Sequence, residues 1–498
     1  MPALALPVRT ESESFHDLMA EQLRHAPWLA LSAFAHVVVL MLLWVLMPLE
    51  AKNMVEKAVA MAPIEEPPPV EEPEIVPPEP EVEPEVSDVD IKDPTISETD
   101  SVNDANVDSN TDSMADSAFD NNAWNTANGL GGGAAGPKKG GRGKRGKGTG
   151  GGSLSPIAPA LEWLAKHQDE DGRWDANGFM KHDVGELCDG PGNPVHDVGV
   201  TALALLAFLG DGNSMRSGPH REVVRRAVLW LRDQQDEKGR FGPAASSDFI
   251  YDHAIAAYAM CEAYGYSQYK LLEPVAQRGI DYLQQHRNPY GAWRYQPRDG
   301  DNDTSVTCWA IMALSSGMHW GLSVDHNALQ SASVFLDSCT SADGHCGYTR
   351  AGEASARKLG DHATRFPVDK TEALTAAGLF CRFFLGQDPR EKECMRKASQ
   401  RLLARKPVWD VKSGAIDHYY WYYASYALYQ MGGNAWTEWA KALDVAVVKT
   451  QRKDGNYAGS WDPVGVWGED GGRVYSTAIL ALTLEAYYRY TRLVPGSR

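Results

Sequence analysis

A helix-turn pattern recurs five times between residues 163 and 457 of the chain. In the first, second and last copies a glutamine precedes a glycine by four residues, and that glycine precedes an aromatic residue by two. The glycine supplies the left-handed backbone that ends a helix, and the aromatic ring packs the turn against its neighbour. Because a repeated unit buries its apolar face only against the next copy, the pattern predicts a repeat architecture. The five copies are WLAKHQDEDGRW (163–174), WLRDQQDEKGRF (230–241), YLQQHRNPYGAW (282–293), FLDSCTSADGHC (335–346) and VVKTQRKDGNY (447–457).

A second and more apolar helical segment follows each turn, and a sixth such segment follows a turn that lacks the glutamine. Five of the six are closed by a glycine that indicates a helix end: Gly210, Gly265, Gly317, Gly386 and Gly432. Alternation of amphipathic and apolar segments predicts an all-α fold, an (α/α)6 toroid over residues 154–492. Its six apolar inner helices would surround a central cavity. The six segments are DVGVTALALLAFLG, DHAIAAYAMCEAYG, DTSVTCWAIMALSSG, DKTEALTAAGLFCRFFLG, DHYYWYYASYALYQMGG and RVYSTAILALTLEAYYRY.

The turn pattern resembles the QW motifs of squalene-hopene cyclases and the repeats of protein prenyltransferase β subunits. The resemblance covers residues 154–492 and implies the toroid. It also implies an apolar, isoprenoid-type ligand for the cavity. Chemistry does not follow from the fold, because function depends on the residues of the site.

Aspartates stand at the start of five inner segments. We take Asp197, Asp252, Asp303, Asp369 and Asp417 as equivalent positions. Aspartate is a favoured N-cap because its carboxylate accepts hydrogen bonds from the free amides of the first turn. Inner helices of a toroid run parallel, so their N-termini meet at one mouth. We therefore predict an acidic mouth, with the first, second and last of these aspartates lining the cavity.

The stretch DGDNDTSV contains the candidate catalytic acids Asp299, Asp301 and Asp303. Squalene-hopene-type cyclases protonate an alkene with the middle acid of an Asp-x-Asp-Asp-Thr-Ala motif. Anchored on Thr304, that motif places Asn302 in the donor's position, whereas an anchor on the aspartates keeps Asp301 there but replaces its partner. The acid pair of the family is broken in both alignments. Asp303 is therefore predicted first as a helix cap and second as an acid.

Aromatic residues on the inner segments are candidates for the cavity wall. We predict that Tyr258, Trp309, Tyr419 and Tyr423 line the cavity and contact an isoprenoid chain or a carbocation. Packing in the core is the alternative for each of them, since part of any aromatic run on a helix faces its neighbours.

No regular metal motif is present. Prenyltransferases hold zinc with an Asp-x-Cys pair, and here Asp343 and Cys346 are one residue too far apart. His182, Cys188 and His196 offer ligand atoms in one Gly/Pro loop, but their spacing is not that of a zinc site, which favours structural hydrogen bonds. We predict neither a metal nor a cofactor.

Seven cysteines in an oxidising compartment would leave at least one thiol unpaired. Cys339 and Cys346 are the pair that we expect to form a disulfide. Cys261, Cys308 and Cys381 fall in inner segments and are expected to be small core residues.

Residues 27–48 are apolar and long enough for one transmembrane helix. Ser32 and His36 in this span, followed by a Glu/Pro-rich spacer, resemble the N-terminus of TonB-type energy transducers. The resemblance implies a cytoplasmic segment 1–26, a single pass through the bacterial inner membrane, a periplasmic toroid and contact of these two residues with a proton-driven motor complex. Two alternatives stay open: cleavage as a signal peptide, which fits the long acidic leader poorly, and His36 as a polar residue merely tolerated in the span.

The segment 49–153 has the composition of a disordered linker. Residues 65–120 contain nineteen acidic residues and one lysine, a charge of −18 that equals the net charge of the whole chain. The Pro/Glu-rich part predicts an extended spacer, and the Gly-rich part that follows is basic and flexible. The acidity belongs to the linker and argues against nucleic acid as a partner.

Two functional classes remain from sequence. The first is a membrane-anchored binding module whose toroid holds an apolar ligand or a periplasmic partner. The second is a terpenoid cyclase or prenyl-transferring enzyme with a modified acid site. The broken acid motif favours the first.

Overall fold

The computed structural model describes residues 36–39, 41, 156–289, 291–298, 300–358 and 360–486. The predicted segment 1–26, the linker 49–153 and most of the span 27–48 lie outside these residues, as do Ser32 and Asp299. His36 lies in a helical stretch, residues 36–39. Among the described helices, none combines the length and the apolar character that crossing a membrane requires.

Twelve long helices of the described region alternate in character, and we number them α1 to α12. The odd-numbered, outer helices are α1 Ile157–Lys166, α3 Arg221–Asp233, α5 Glu273–His286, α7 His326–Cys339, α9 Glu393–Ala404 and α11 Gly433–Ala446. The even-numbered, inner helices are α2 Asp197–Gly210, α4 Phe249–Ser267, α6 Thr304–His319, α8 Ala373–Phe384, α10 His418–Met431 and α12 Gly468–Leu484. The described residues contain no β-strand, only two isolated bridges inside turns.

The inner helices form a closed ring. Each packs against the next in chain order, and α12 packs against α2 to complete the circuit. Every outer helix contacts an inner helix, and α1 contacts both α12 and α2 across the seam between the last and first repeats. The prediction of an all-α ring of outer and inner helix pairs is therefore confirmed for the described residues.

Amphipathic and apolar patterning explains which helix lies outside. Helix α3 buries one stripe, Val224, Ala227, Val228 and Leu231, at the i, i+3, i+4, i+7 spacing of a helix with one covered face. In α2 every residue after Asp197 is buried, as expected for a helix surrounded on all sides.

In the three turns that contain the glutamine, its side chain joins one repeat to the next. Gln168 donates from Nε2 to the carbonyl oxygen of Gly172 in its own turn, at 2.9 Å, and to that of Val223 in the next outer helix, at 3.0 Å. Gly172 has φ of 103°, and a Cβ there would lie 2.3 Å from the carbonyl oxygen of Arg226, so only glycine fits. The second copy repeats these bonds from Gln235 to Gly239 and Val275.

The last turn closes the ring, but with a different glycine and aromatic residue from those that the pattern predicted. Gln451 donates to the carbonyl oxygen of Gly459 rather than to that of Gly455, at 2.8 Å, and to that of Pro156 at the start of the first repeat, at 2.7 Å. The aromatic residue fully buried in this turn is Trp461. Four additional residues lengthen the turn, which the sequence spacing alone did not reveal.

A second recurring bond sets the register of the inner helices. The backbone N–H of the turn residue donates to a side chain on the inner helix that follows, at distances of 2.9 to 3.4 Å. The five pairs are Trp174 with Thr201, Phe241 with His253, Trp293 with Thr307, Cys346 with Thr375 and Trp461 with Thr477. The residue four positions before each acceptor occupies the same place in every repeat. Asp197 and Asp303 lie at this place, before Thr201 and Thr307, so they are equivalent. Asp252 and Asp369 do not lie at this place in their repeats.

Two of the five predicted aspartate caps form. Asp303 accepts from the backbone N–H of Val306 at 2.8 Å, and Asp417 accepts from that of Tyr420 at 3.0 Å. Helix α6 begins directly after Asp303, and helix α10 begins directly after Asp417.

The other three aspartates do not cap their helices. Asp197 is already the first residue of α2, and its carboxylate accepts from the backbone N–H of Ala176 in the preceding turn. Asp252 lies within α4, which begins at Phe249, and Asp369 lies in a separate 3-10 turn before α8. The prediction was wrong for Asp252 and Asp369 because the loops between turn and helix differ in length. Asp197 is in register, but the 3-10 turn Pro194–His196 leads directly into the helix and gives this aspartate a helical backbone.

All seven cysteines are free, so the expected Cys339–Cys346 disulfide is absent. Cys346 occupies the position of a turn aromatic, and its Sγ lies 4.0 Å from the hydroxyl of Thr304 on α6. Its side chain therefore faces the inner helices, while Cys339 ends the outer helix α7.

Candidate functional site

A cavity of about 300 Å³ opens where the inner helices begin. All six inner helices line it with residues from their N-terminal parts, and the loops beside them supply the remainder. The parallel start of these helices thus builds one site, as the toroid predicts. A volume of this size is at the lower end of the range for small-molecule pockets.

The deeper wall of the cavity is apolar. Leu203, Ile255, Trp309, Leu374 and Ile479 come from five different inner helices. Because each is contributed by a different helix, the wall exists only in the closed ring. When an apolar ligand removes such a surface from water, the free energy of binding becomes more favourable by about 25 cal/mol per Å² of buried apolar area.

Aromatic packing holds Trp309 in place. Its ring lies 6.1 Å, centroid to centroid, from that of Tyr422 and is stacked on it, and 5.6 Å from that of Tyr423. Tyr419 lies 6.5 Å from Trp309 and donates or accepts a hydrogen bond with Ser305 at 2.8 Å. Trp309, Tyr419 and Ser305 all line the cavity.

Two of the four predicted aromatic residues lie elsewhere. Tyr423 is fully buried one helical turn beyond Tyr419, packed behind Trp309. Tyr258 is a buried residue of the hydrophobic core on α4 and does not line the cavity. Both residues face packed neighbours, which is the role weighed above as the alternative.

A histidine and an aspartate meet at the mouth. His196 Nδ1 lies 3.0 Å from Asp252 Oδ2, and both residues line the cavity. Burial lowers the pKa of His196, but the hydrogen bond and charge of Asp252 outweigh it, so the net pKa is raised. Because Asp252 is not engaged as a cap, its carboxylate is available for this pair.

The rest of the mouth carries both signs of charge. Lys358 pairs with Asp470, and Arg357 lies 3.5 Å from Asp417. Both cations and Asp470 line the cavity. The carboxylates of the predicted acidic mouth are therefore compensated by cations from the loops, whose positions do not follow from where the inner helices start.

Two predicted lining aspartates lie outside the cavity wall. The carboxylate of Asp417 accepts hydrogen bonds from the backbone N–H of Tyr420, as the helix cap, and from the hydroxyl of Thr371 at 2.9 Å. Asp197 takes the N–H of Ala176 and the guanidinium of Arg173, and burial raises its pKa to about 6. Neither is among the residues that surround the cavity.

Asp303 reaches the cavity only through tyrosines. It is fully buried, and burial raises the pKa of its carboxyl to about 7. The hydroxyl of Tyr348 donates to Asp303 Oδ2 at 3.4 Å, and the hydroxyls of Tyr348 and Tyr295 are 2.6 Å apart. Both tyrosines line the cavity, whereas Asp303 does not. The arrangement is a hydrogen-bonded path from a buried carboxyl group to the cavity.

Asp301 is a surface residue. Its side chain is 62% exposed and pairs with Arg294, whose guanidinium lies 5.7 Å from the ring centroids of Tyr295 and Tyr348. Asp299 lies outside the described residues. Of the two described candidate acids, Asp303 is hydrogen-bonded to a tyrosine that lines the cavity, whereas Asp301 contacts Arg294.

Tyr295 and Tyr348 were not among the predicted site residues. Each follows the turn residue of its repeat by two positions, Trp293 in one case and Cys346 in the other. An alignment of the repeats on the turn residue, rather than on the aspartates, would have shown both tyrosines in register. His196 was considered only as a metal ligand.

The three loop residues weighed as ligands are not brought together. His182 Nε2 lies 2.7 Å from Asp169 Oδ1, and His196 pairs with Asp252 at the mouth. Cys188 instead contacts Asp183.

No family profile and no curated protein sequence matches the chain. Among solved structures, a variant of the type II terpene cyclase MstE from Scytonema, in complex with geranylgeranyl dihydroxybenzoate, is 15% identical and has a TM-score of 0.44 over 68% of this chain and 98% of that chain. A cellobiose 2-epimerase from Bacillus thermoamylovorans is 13% identical with a TM-score of 0.46, over 67% and 97%. An alpha-amylase from Clostridium perfringens is 11% identical with a TM-score of 0.47, over 69% and 99%. These similarities are too low to carry an argument about ligand or reaction.

Proposed function

We propose that the cavity binds an elongated apolar molecule of isoprenoid type that ends in a polar group. The observation that carries the proposal is the separation of surfaces: an apolar wall around Trp309 in the interior, and paired charges only at the mouth. An apolar chain would be removed from water by the wall, while the polar end stays beside His196, Asp252 and Lys358.

Equilibrium binding of a series of isoprenoid alcohols of increasing length, followed by intrinsic fluorescence, tests this proposal. Trp309→Ala removes the largest apolar side chain of the wall, so affinity should fall at least about tenfold. Trp436→Ala, on the outer helix α11, is the matched control and should leave affinity unchanged. Equal affinity in wild type and Trp309→Ala would contradict the assignment.

General-acid chemistry on a prenyl substrate is a second candidate, favoured by the path from Asp303 through Tyr348 to Tyr295. A carboxyl group with a pKa of about 7 can hold or release a proton near neutral pH. In this case Tyr348→Phe should abolish turnover of a prenyl substrate panel without preventing binding. Asp233→Asn, at an exposed ion pair on the outer helix α3, is the matched control and should leave turnover intact. If the wild type binds a prenyl substrate without converting it, the enzyme hypothesis is wrong and the proposal of a binding module stands.

We also propose that the chain is anchored in the bacterial inner membrane by residues 27–48, with the toroid periplasmic. The sequence of the span and of the Pro/Glu spacer supports this proposal, and so does the resemblance that implies a proton-driven motor complex at Ser32 and His36. A reporter fused after residue 498 should be active only in the periplasm. His36→Ala should weaken co-purification of a motor complex and leave membrane insertion unchanged; a reporter active in the cytoplasm contradicts the orientation.

A further inference from the structure

Three potential metal ligands of different chemistry meet beside the end of α1. His167 follows this helix directly, and Asp183 and Cys188 belong to the loop that leads to α2. His167 Nε2 lies 3.0 Å from Asp183 Oδ1, and Cys188 Sγ lies 3.5 Å from the same oxygen. The side chains of His167 and Asp183 are wholly inaccessible, and Cys188 is 4% exposed. The three groups therefore form a buried cluster.

The orientation of the imidazole places a lone pair towards the centre of this cluster. His167 Nδ1 lies 2.7 Å from the carbonyl oxygen of Trp163, which only accepts, so Nδ1 carries the hydrogen. In the neutral ring Nε2 then directs its lone pair at Asp183 Oδ1, another acceptor. A cation or an additional proton between them removes the repulsion. Metal-binding histidines are held in this way, with the second N–H on a backbone carbonyl.

The separations suit a tetrahedral ion. With Zn–N and Zn–O bonds of about 2.0 Å and a Zn–S bond of about 2.3 Å, neighbouring ligand atoms lie about 3.3 to 3.6 Å apart. The ligand atoms of His167, Asp183 and Cys188 all lie within 4.8 Å of one another, and the two separations to Oδ1 are close to that range. A thiol and an imidazole favour zinc over calcium or magnesium, which prefer oxygen ligands.

We propose that His167 Nε2, Asp183 Oδ1 and Cys188 Sγ bind one Zn²⁺ ion. The Cys188 thiol releases its proton to solvent when the ion binds. The site is separate from the cavity and does not depend on its ligand.

The position of the cluster indicates a structural role at the ring seam. The loop that carries Asp183 and Cys188 is held by the last repeat, where Asn456 Nδ2 donates to the carbonyl oxygens of Val184 and Glu186 at 3.1 and 2.6 Å. The same loop continues to the mouth of the cavity. An ion that joins His167 to this loop would fasten α1, the first repeat and the last repeat together.

The test uses the full chain, purified without added metal. Elemental analysis should find about one zinc ion per chain, and Cys188→Ser and Asp183→Asn should lower this at least about tenfold. Cys394→Ser, a partly buried cysteine on α9, is the matched control and should keep the zinc. Cobalt substitution should give a thiolate-to-cobalt charge-transfer band that Cys188→Ser loses and Cys394→Ser retains.

Measurements on the wild type keep the proposal testable if a variant fails to fold. A strong chelator should lower the melting temperature, and added Zn²⁺ should restore it. Absence of bound metal together with no effect of chelator or Zn²⁺ would refute the site and leave a plain His167–Asp183 ion pair. A cobalt band that persists in folded Cys188→Ser would equally refute the assigned ligand.

Discussion

The buried cap Asp303 makes the stability of the toroid depend on pH in a direction unusual for a carboxylate. The substitution Asp303→Asn keeps an oxygen that accepts from the N–H of Val306, and asparagine caps helices about as well as aspartate. It removes the ability to ionise and replaces the oxygen that accepts from the Tyr348 hydroxyl with an amide nitrogen. The variant therefore separates the capping role of this residue from its charge.

The magnitude follows from the raised pKa. Burial raises the pKa of Asp303 from 3.8 to about 7, and each unit of pKa corresponds to about 1.4 kcal/mol, so ionisation in the folded protein costs on the order of 4 kcal/mol. The pKa of Asp303 is higher in the folded protein than in the unfolded chain, so between pH 3.8 and about pH 7 the folded protein binds more protons than the unfolded chain does. The stabilising contribution is complete below about pH 4 and is lost as the pH rises to about 7.

The assay is urea unfolding of wild type and variant in parallel from pH 4 to pH 8. The unfolding free energy of Asp303→Asn minus that of wild type should increase by about 4 kcal/mol between pH 4 and about pH 7 and then stay constant to pH 8. Asp417→Asn is the matched control, because this cap is equally buried but its carboxylate faces Arg357. Loss of the Asp417 charge should therefore destabilise the protein. A difference between Asp303→Asn and wild type that does not vary with pH would refute the reasoning.

Two further predictions concern the turns. Gln451→Ala removes the donor to the buried carbonyl oxygen of Gly459 and one of two donors to that of Pro156, which keeps the N–H of Ala160. It should lower the unfolding free energy by about 1–3 kcal/mol, whereas an unchanged urea midpoint would mean that the seam does not need these bonds. Gly239→Ala sets a Cβ 2.2 Å from the carbonyl oxygen of Arg278 and should lower the melting temperature more than Gly352→Ala, which has a similar φ but nothing within 4 Å; equal losses would show that backbone strain alone is responsible.

Much of the architecture could be predicted because the signals are local. The stripe on α3 and the all-round apolar character of α2 distinguish outer from inner helices within a few turns of sequence. The glycine of each turn is required by its own backbone conformation. Asp303 and Asp417 cap their helices through amides three residues away, which is again a local interaction.

The candidate site was predicted only in part, because it depends on the register between repeats. Asp252 was taken for a cap, yet α4 begins three residues earlier and turns its carboxylate towards His196 at the mouth. Tyr423 has the same residue type and helix as Tyr419, but one further turn places it behind Trp309. Loop length and depth along the helix decide such outcomes, and neither has a local signature.

The sequence by itself determined the repeat and the alternation of six outer and six inner helices, because the periodicity of buried residues is a property of neighbouring residues in the chain. Only the tertiary structure decided which side chains meet: Tyr295 and Tyr348 with Asp303, His196 with Asp252, and His167 with Asp183 and Cys188. These residues come from different turns and helices, and their distances depend on how the ring closes. Gln451, whose side chain bonds a residue 295 positions earlier in the chain, shows the physical reason: closure is a long-range contact that a local pattern permits but cannot locate.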